Sequence, residues 1–143
     1  MSTVYFISGH TDITQEQFDH HYRQRIVEAA SNPLNEFVMV TAPGADTMSQ
    51  KLLTELMACD RMTVYHRGES PEFLADPSIK TVGGWKSHDQ KDAAMTKNSD
   101  VDILYVRSTD ESKKLYGDKF NPKRMSGTQK NLNRRIKQKA CTD

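Results

Sequence analysis

Long apolar runs, a basic leader and closely spaced cysteines are all missing from this sequence of 143 residues. No apolar run approaches the roughly 20 residues that a membrane-spanning helix needs, and the first residues, M-S-T-V-Y-F-I-S, lack the basic segment of a signal peptide. Cys59 and Cys141 have no metal-ligand spacing and are expected to be free thiols. The sequence therefore predicts one cytoplasmic domain over residues 1–143, with no membrane partner.

Signatures of several cofactor and catalytic sites are missing as well. The sequence has neither G-x-G-x-x-G nor G-x-x-x-x-G-K-[ST], which excludes the standard dinucleotide and P-loop motifs. It has no G-x-S-x-G, so a serine hydrolase is not expected. Its histidines form no H-E-x-x-H pattern, and the adjacent His20 and His21 would diverge on a helix. We therefore expect no metal site and no resident cofactor.

What the sequence does contain is an alternation of apolar strands with amphipathic helices. Predicted strands cover residues 3–8, 36–41, 61–66 and 102–107. Predicted helices cover residues 14–30, a segment capped by Asp46, residues 87–98 and residues 129–139, the last with Leu132 and Ile136 facing inward. Residues 67–85 and the Lys-rich stretch before Ser126 are expected to be mainly loop. This order predicts a Rossmann-like α/β fold, an open, mainly parallel sheet flanked by helices on both faces.

Three polar segments follow predicted strands, where parallel sheets bind their ligands. Gly9 is expected to let a ligand approach the backbone closely, and the helix start at Gly127 suits a phosphate. Asp12 and Arg107, near the ends of two strands, are further candidates. The predicted ligand-binding residues are Ser8, Gly9, His10, Asp12, Gly44, Ala45, Asp46, Thr47, Arg107, Ser126, Gly127, Thr128 and Asn131.

Asp92 is the candidate catalytic residue. It lies on a predicted helix built otherwise from small residues, in K-D-A-A-M-T. A carboxylate there can position ribose hydroxyls, or act as an acid or base if burial raises its pKa. The alternative is an exposed helix carboxylate beside a lysine.

The region between Lys113 and Lys139 is rich in Lys and Arg and contains Asp118 as its only acid. Such a block attracts nucleic acid or an acidic ligand. The alternative is a solvated helix face, because the block has few aromatic side chains for base stacking.

Taken together, these motifs resemble the SLOG superfamily, a Rossmann-like group that includes the LOG phosphoribohydrolases and DprA-type domains. The resemblance rests on F-I-S-G-H-T-D (6–12), G-A-D-T-M (44–48), K-D-A-A-M-T (91–96), S-D-V-D-I-L-Y-V-R (99–107) and S-G-T-Q-K-N-L-N-R-R (126–135). It implies a nucleotide pocket in which residues 8–10 and 44–46 form two binding loops and residues 126–128 form the phosphate loop. LOG hydrolases carry a catalytic glutamate where this chain has Asn131, so their mechanism does not transfer.

The sequence leaves three functions open. The first is a sensor, carrier or sequestering protein that binds a nucleotide or a nucleotide-derived small molecule. The second is a salvage enzyme that cleaves or exchanges an N-glycosidic bond, as a phosphoribohydrolase or deoxyribosyltransferase does, with Asp92 as its carboxylate. The third is a DNA-binding domain that uses the basic C-terminal region. A homo-oligomer is a further expectation, with Leu132 and Ile136 at its interface.

Overall fold

A five-stranded, all-parallel sheet forms the centre of the molecule in the computed structural model, which describes residues 2–56 and 58–142. The strands lie in the order β4-β3-β2-β1-β5. They are β1 (Val4–Ile7), β2 (Glu36–Met39), β3 (Met62–Arg67), β4 (Lys80–Trp85) and β5 (Val101–Ile103). The predicted open, parallel α/β fold is confirmed.

Successive side chains of a strand point to opposite faces of the sheet, and the central strands carry apolar side chains on both faces. Helices therefore cover both faces. Ile7, Phe37 and Val64 belong to the larger apolar core with Ile26 and Leu53. The other face packs Phe6, Val38 and Tyr65 against Met95. The helices are α1 (Gln15–Phe18), α2 (Gln24–Ala30), α3 (Ala45–Glu55), α4 (His88–Lys97), α5 (Thr109–Tyr116) and α6 (Gly127–Thr142), with a π-helical turn (Asp19–Arg23) between α1 and α2. Helix α6 packs on α4 and β5.

Two elements were missed in segments predicted as loop. Strand β4 is an edge strand whose residues are almost all exposed, so it has no apolar pattern and carries the pair Gly83-Gly84. Helix α5 begins in a capping box of Ser108 and Glu111, a local signal that the sequence does contain. No side chain of α5 is buried, so this segment lacks the apolar periodicity from which a helix is predicted.

Two predicted side-chain placements are wrong. Asp46 does not cap α3: Gly44 occupies the cap position, with a φ of 80°, and Asp46 is buried in the first turn. Ile136 does not face inward, since 59% of it is exposed, while Leu132 is half-buried. Gly44 fits this cap because a positive φ is strained for residues with a side chain.

Helix α6 is anchored by a buried ion pair. Arg135 Nη2 lies 2.9 Å from Asp102 Oδ1. The same guanidinium donates hydrogen bonds to the carbonyl oxygens of Thr96 and Ser99. One residue of the predicted basic block is therefore structural.

Cys59 is a free thiol, and the Cys141 side chain lies outside the part that is described. Across the described ranges, no helix combines the length and the apolar character that crossing a bilayer requires.

The strand order places a topological switch beside β1. The chain proceeds from β1 outward to β4, then crosses back through α4 to reach β5 on the opposite side of β1. The change in the direction of strand order therefore falls between β1 and β5. In open α/β sheets, this is where ligands bind, beyond the carboxyl ends of the strands.

Candidate functional site

A cleft of about 1390 Å³ opens at this edge of the sheet. Its walls come from the loops after β1, β2 and β3, the first turns of α3 and α4, and the chain from Val106 through the start of α6. Most of the predicted site residues line it: Ser8, Gly9, His10, Asp12, Asp46, Asp92, Arg107, Ser126, Gly127, Thr128 and Asn131. Gly44, Ala45 and Thr47 lie behind this lining; Ala45 is buried and the Thr47 hydroxyl donates to the Gly44 carbonyl oxygen.

The two glycines of the first loops have a packing role. A Cβ on Gly9 would lie 2.4 Å from Ala45 Cβ and 2.4 Å from Tyr22 Oη. A Cβ on Gly44 would lie 2.5 Å from the carbonyl oxygens of His10 and Thr11. The Ala45 amide also donates to the His10 carbonyl oxygen. These contacts fix the first loop against the start of α3 and account for glycine at both positions. Gly9 also lines the cleft, and its role in a ligand's approach stays a prediction.

An ion pair forms one wall of the cleft. Arg107 Nη1 lies 2.6 Å from Asp12 Oδ1, and the Tyr116 hydroxyl donates to Asp12 Oδ2. Against the opposing effect of burial, hydrogen bonds from Arg107 and Tyr116 lower the pKa of Asp12. The Arg107 amide donates to His10 Nε2, and burial together with the Arg107 charge lowers the pKa of His10. His10 therefore offers this wall a neutral imidazole whose Nε2 is already occupied.

Two carboxyls and a lysine form a cluster where α3 and α4 meet the cleft. Asp46 is 3% exposed and its Oδ1 has no hydrogen-bond partner. Burial raises its pKa well above the ordinary value, and the Asp92 charge raises it further. Burial also raises the pKa of the half-buried Asp92. Both carboxyls are thereby biased towards the protonated form, in which a carboxyl can donate a proton.

Lys91 is the member of this cluster that sequence reasoning missed. It is 5% exposed, it lines the cleft, and its Nζ lies 3.1 Å from His88 Nδ1. Burial lowers its pKa, although the charges of Asp92 and Asp46 raise it. The available signal was the K-D-A-A-M-T motif itself, in which Lys91 stands beside the residue that was singled out.

The start of α6 faces the cleft with an open backbone. The Ser126 hydroxyl accepts a hydrogen bond from the Gln129 amide, as a helix cap does. A Cβ on Gly127 would meet no atom within 4 Å. Amides of the first helical turn have no partner within the helix, and the helix dipole adds partial positive charge. Thr128 and Asn131 are buried behind this opening, where Arg134 donates to the Asn131 amide oxygen.

The cleft lining has two further parts. Trp85 stacks on Tyr65 at 5.8 Å between ring centroids, and its buried Nε1 has no hydrogen-bond partner. Between α5 and α6, the exposed segment 119–125 contributes the cations Lys119, Lys123 and Arg124 to the lining. The Lys-rich composition of this segment was the available signal. The structure places these positive charges along the cleft.

Comparisons with known proteins return nothing: no family model matches the chain, and no curated protein or solved structure matches it either. Within residues 2–56 and 58–142 there is also no group of His, Cys, Asp and Glu side chains that could hold a metal ion. The SLOG resemblance stays a prediction.

Proposed function

We propose that this protein is a cytoplasmic binder of a nucleotide or nucleotide-derived small molecule, held in the cleft at the carboxyl edge of the sheet. One observation carries the proposal: an open helix start faces a cleft that contains buried, unpartnered polar atoms. Those atoms are Ser8 Oγ, Asp46 Oδ1 and Trp85 Nε1. Most buried polar groups find a hydrogen-bond partner, so a polar ligand that supplies these partners fits the site. SLOG membership is part of the proposal.

A nucleotide matches the distribution of charge in the cleft. Its phosphate binds at Gly127 and Thr128, where helix amides favour an anion, and the cations Lys119 and Lys123 line the same cleft. Its ribose hydroxyls reach the Asp46 and Asp92 carboxyls, which accept hydrogen bonds or donate one when protonated. The cleft is larger than the roughly 300–1,000 Å³ of a typical small-molecule site, so its volume admits the base as well.

Calorimetric titration tests the proposal directly. Nucleoside monophosphates with different bases, the matching nucleosides and inorganic phosphate are titrated into the full chain. We expect at least one nucleotide to bind and to raise the melting temperature by mass action, with weaker binding of its nucleoside because the phosphate contact is lost. If none of the nucleotides binds at millimolar concentration, or if nucleosides bind as tightly as nucleotides, the proposal is wrong.

Cleavage of an N-glycosidic bond is the second candidate function, and the carboxyl cluster favours it. Such chemistry uses one protonated carboxyl to assist the leaving group and a carboxylate near the anomeric carbon. Asp46 and Asp92 provide two carboxyls with raised pKa values in one cleft. Release of free base from nucleotides is the assay. Asp92→Asn is expected to abolish release while nucleotide affinity changes little, and Asp118→Asn, an exposed aspartate outside the cleft, serves as the matched control.

The DNA-binding alternative has no comparable support. Within the basic block, Arg135 is buried in its ion pair with Asp102, and Arg134 lies 3.2 Å from Asp89. The cations that remain exposed in segment 119–125 line the cleft.

The homo-oligomer expected from the sequence stays a prediction, now with Ile136 exposed and available for such an interface.

A further inference from the structure

Lys91 and Arg135 are both buried cations, yet their surroundings differ. Arg135 is 4% exposed, pairs with Asp102 and donates further hydrogen bonds to Thr96, Ser99 and Gln138. Those contacts account for its burial as an anchor of α6. Lys91 is 5% exposed, but the contact of its Nζ is with His88 Nδ1. Over residues 2–56 and 58–142, no carboxylate oxygen lies within 4.0 Å of Lys91 Nζ.

The position of Lys91 suits a reactive amine better than a structural anchor of a helix. Its side chain forms part of the cleft lining, beside two carboxyls that act on it electrostatically. A lysine that is desolvated in a ligand cavity loses the stabilisation of its ammonium form, and the neutral amine is the nucleophile. Burial lowers the pKa of Lys91 in agreement with this geometry. The charged groups that face it are Asp46, Asp92, Arg67 and Glu72, together with the neighbouring His88.

We propose that Lys91 is a nucleophilic amine that forms a reversible imine with a phosphorylated aldehyde or ketone, such as the open-chain form of a sugar phosphate. The inference rests on the proposed function in one respect, because the phosphate site at the start of α6 holds the carbonyl compound in the cleft. The carbonyl carbon then lies against the Asp46, Asp92 and Lys91 cluster.

The reaction balances without any oxidant or reductant. The Nζ lone pair forms a C–N bond to the carbonyl carbon, the carbonyl π pair moves to oxygen, and one proton passes from nitrogen to that oxygen. The resulting hydroxyl takes a second proton from a carboxyl and leaves as water, while nitrogen gives its remaining proton back to the carboxyl and forms the C=N bond. Asp92 and Asp46 are the proton carriers, since burial raises the pKa of both. Addition of water reverses the sequence.

Reductive trapping tests the proposal on the unmodified chain. The protein is incubated with D-glyceraldehyde 3-phosphate and sodium cyanoborohydride, and the modified lysines are mapped by peptide mass spectrometry. Lys130 is the internal reference, because it lines the same cleft but is exposed. Accessibility alone favours Lys130, whereas an activated amine favours Lys91 by at least about tenfold. Equal labelling of the two lysines, or labelling spread over the surface lysines, overturns the proposal.

Variants and a second probe separate this inference from nucleotide binding. Lys91→Arg keeps the cation and is expected to abolish the adduct, while Lys97→Arg, at the exposed end of the same helix, leaves labelling of Lys91 unchanged. Labelling of Lys91 by glyceraldehyde and its phosphate at equal rates, without protection by nucleotides, supports the amine chemistry and contradicts the phosphate site. A nucleotide that binds while Lys91 stays unlabelled contradicts the amine chemistry alone.

Discussion

A negative charge at the start of α6 should weaken ligand binding while stabilising the helix. Gly127 is the position to change, because a side chain there meets no atom within 4 Å and the residue lines the cleft. Gly127→Asp introduces the charge, and Gly127→Asn introduces a neutral side chain of nearly the same shape. A comparison of the two variants therefore isolates electrostatic repulsion from steric exclusion.

The magnitude follows from Coulomb's law. Two unit charges about 5 Å apart repel by about 3 kcal/mol at an effective dielectric constant of about 20, and salt screens part of this. A loss of about 2–3 kcal/mol in binding is roughly 30- to 150-fold in Kd. The same carboxylate interacts favourably with the helix dipole, which is worth about 0.3–1 kcal/mol to the unliganded protein. Affinity and stability should consequently move in opposite directions.

Calorimetry with the tightest-binding nucleoside monophosphate measures the affinity, and thermal denaturation without ligand measures the stability. We expect Gly127→Asn to bind the nucleotide within a few-fold of the unmodified protein, and Gly127→Asp to bind it at least about 30-fold more weakly with an equal or higher melting temperature. Equal affinities of the two variants would refute the phosphate site. A melting temperature lowered only by the aspartate would refute the helix-dipole argument.

Three further changes test other parts of the reasoning. Gly9→Ala places a Cβ 2.4 Å from Ala45 Cβ and should cost about 1–3 kcal/mol in urea unfolding, whereas Gly127→Ala should change little. Asp46→Asn should stabilise the unliganded protein at neutral pH. The folded-state pKa of Asp46 lies above the ordinary value of 3.8. The contribution of the carboxyl to stability is therefore complete below pH 3.8 and is lost as the pH rises through the folded-state pKa. Unfolding measured as a function of pH should not show this decline in the variant. Arg135→Met leaves Asp102 buried without its partner and should cost about 3–5 kcal/mol, whereas Arg124→Met, at an exposed position, should cost little.

The parallel sheet could be predicted because its central strands are buried on both faces. Residues 3–8, 36–41 and 61–66 are apolar runs whose burial leaves a compositional signal. Strand β4 leaves none, because an edge strand with exposed side chains obtains its stability from hydrogen bonds to β3 rather than from apolar burial. Helix α5 likewise buries no side chain, so its capping box was its one local signal.

Segments of the site could be predicted, but the tasks of individual residues could not. The strand ends and the helix start at Gly127 identify an edge of the sheet, since the polar segments follow apolar runs. Which atoms remain unpaired depends on tertiary contacts far apart in sequence. Asp12 forms an ion pair with Arg107, and Gly9 packs closely against Ala45 and Tyr22.

The cleft retains polar groups in arrangements that oppose the stability of the unliganded fold. Asp46 is a buried carboxyl with an unpaired oxygen, and Lys91 is a buried amine without a carboxylate within ion-pair distance in the described chain. An unsatisfied buried polar group costs about 1–3 kcal/mol. The same protein pairs another buried cation, Arg135, with an aspartate. Ser8 Oγ, Asp46 Oδ1 and Trp85 Nε1 are unpaired atoms of residues that line the cleft, and a ligand that satisfies them converts this cost into binding free energy.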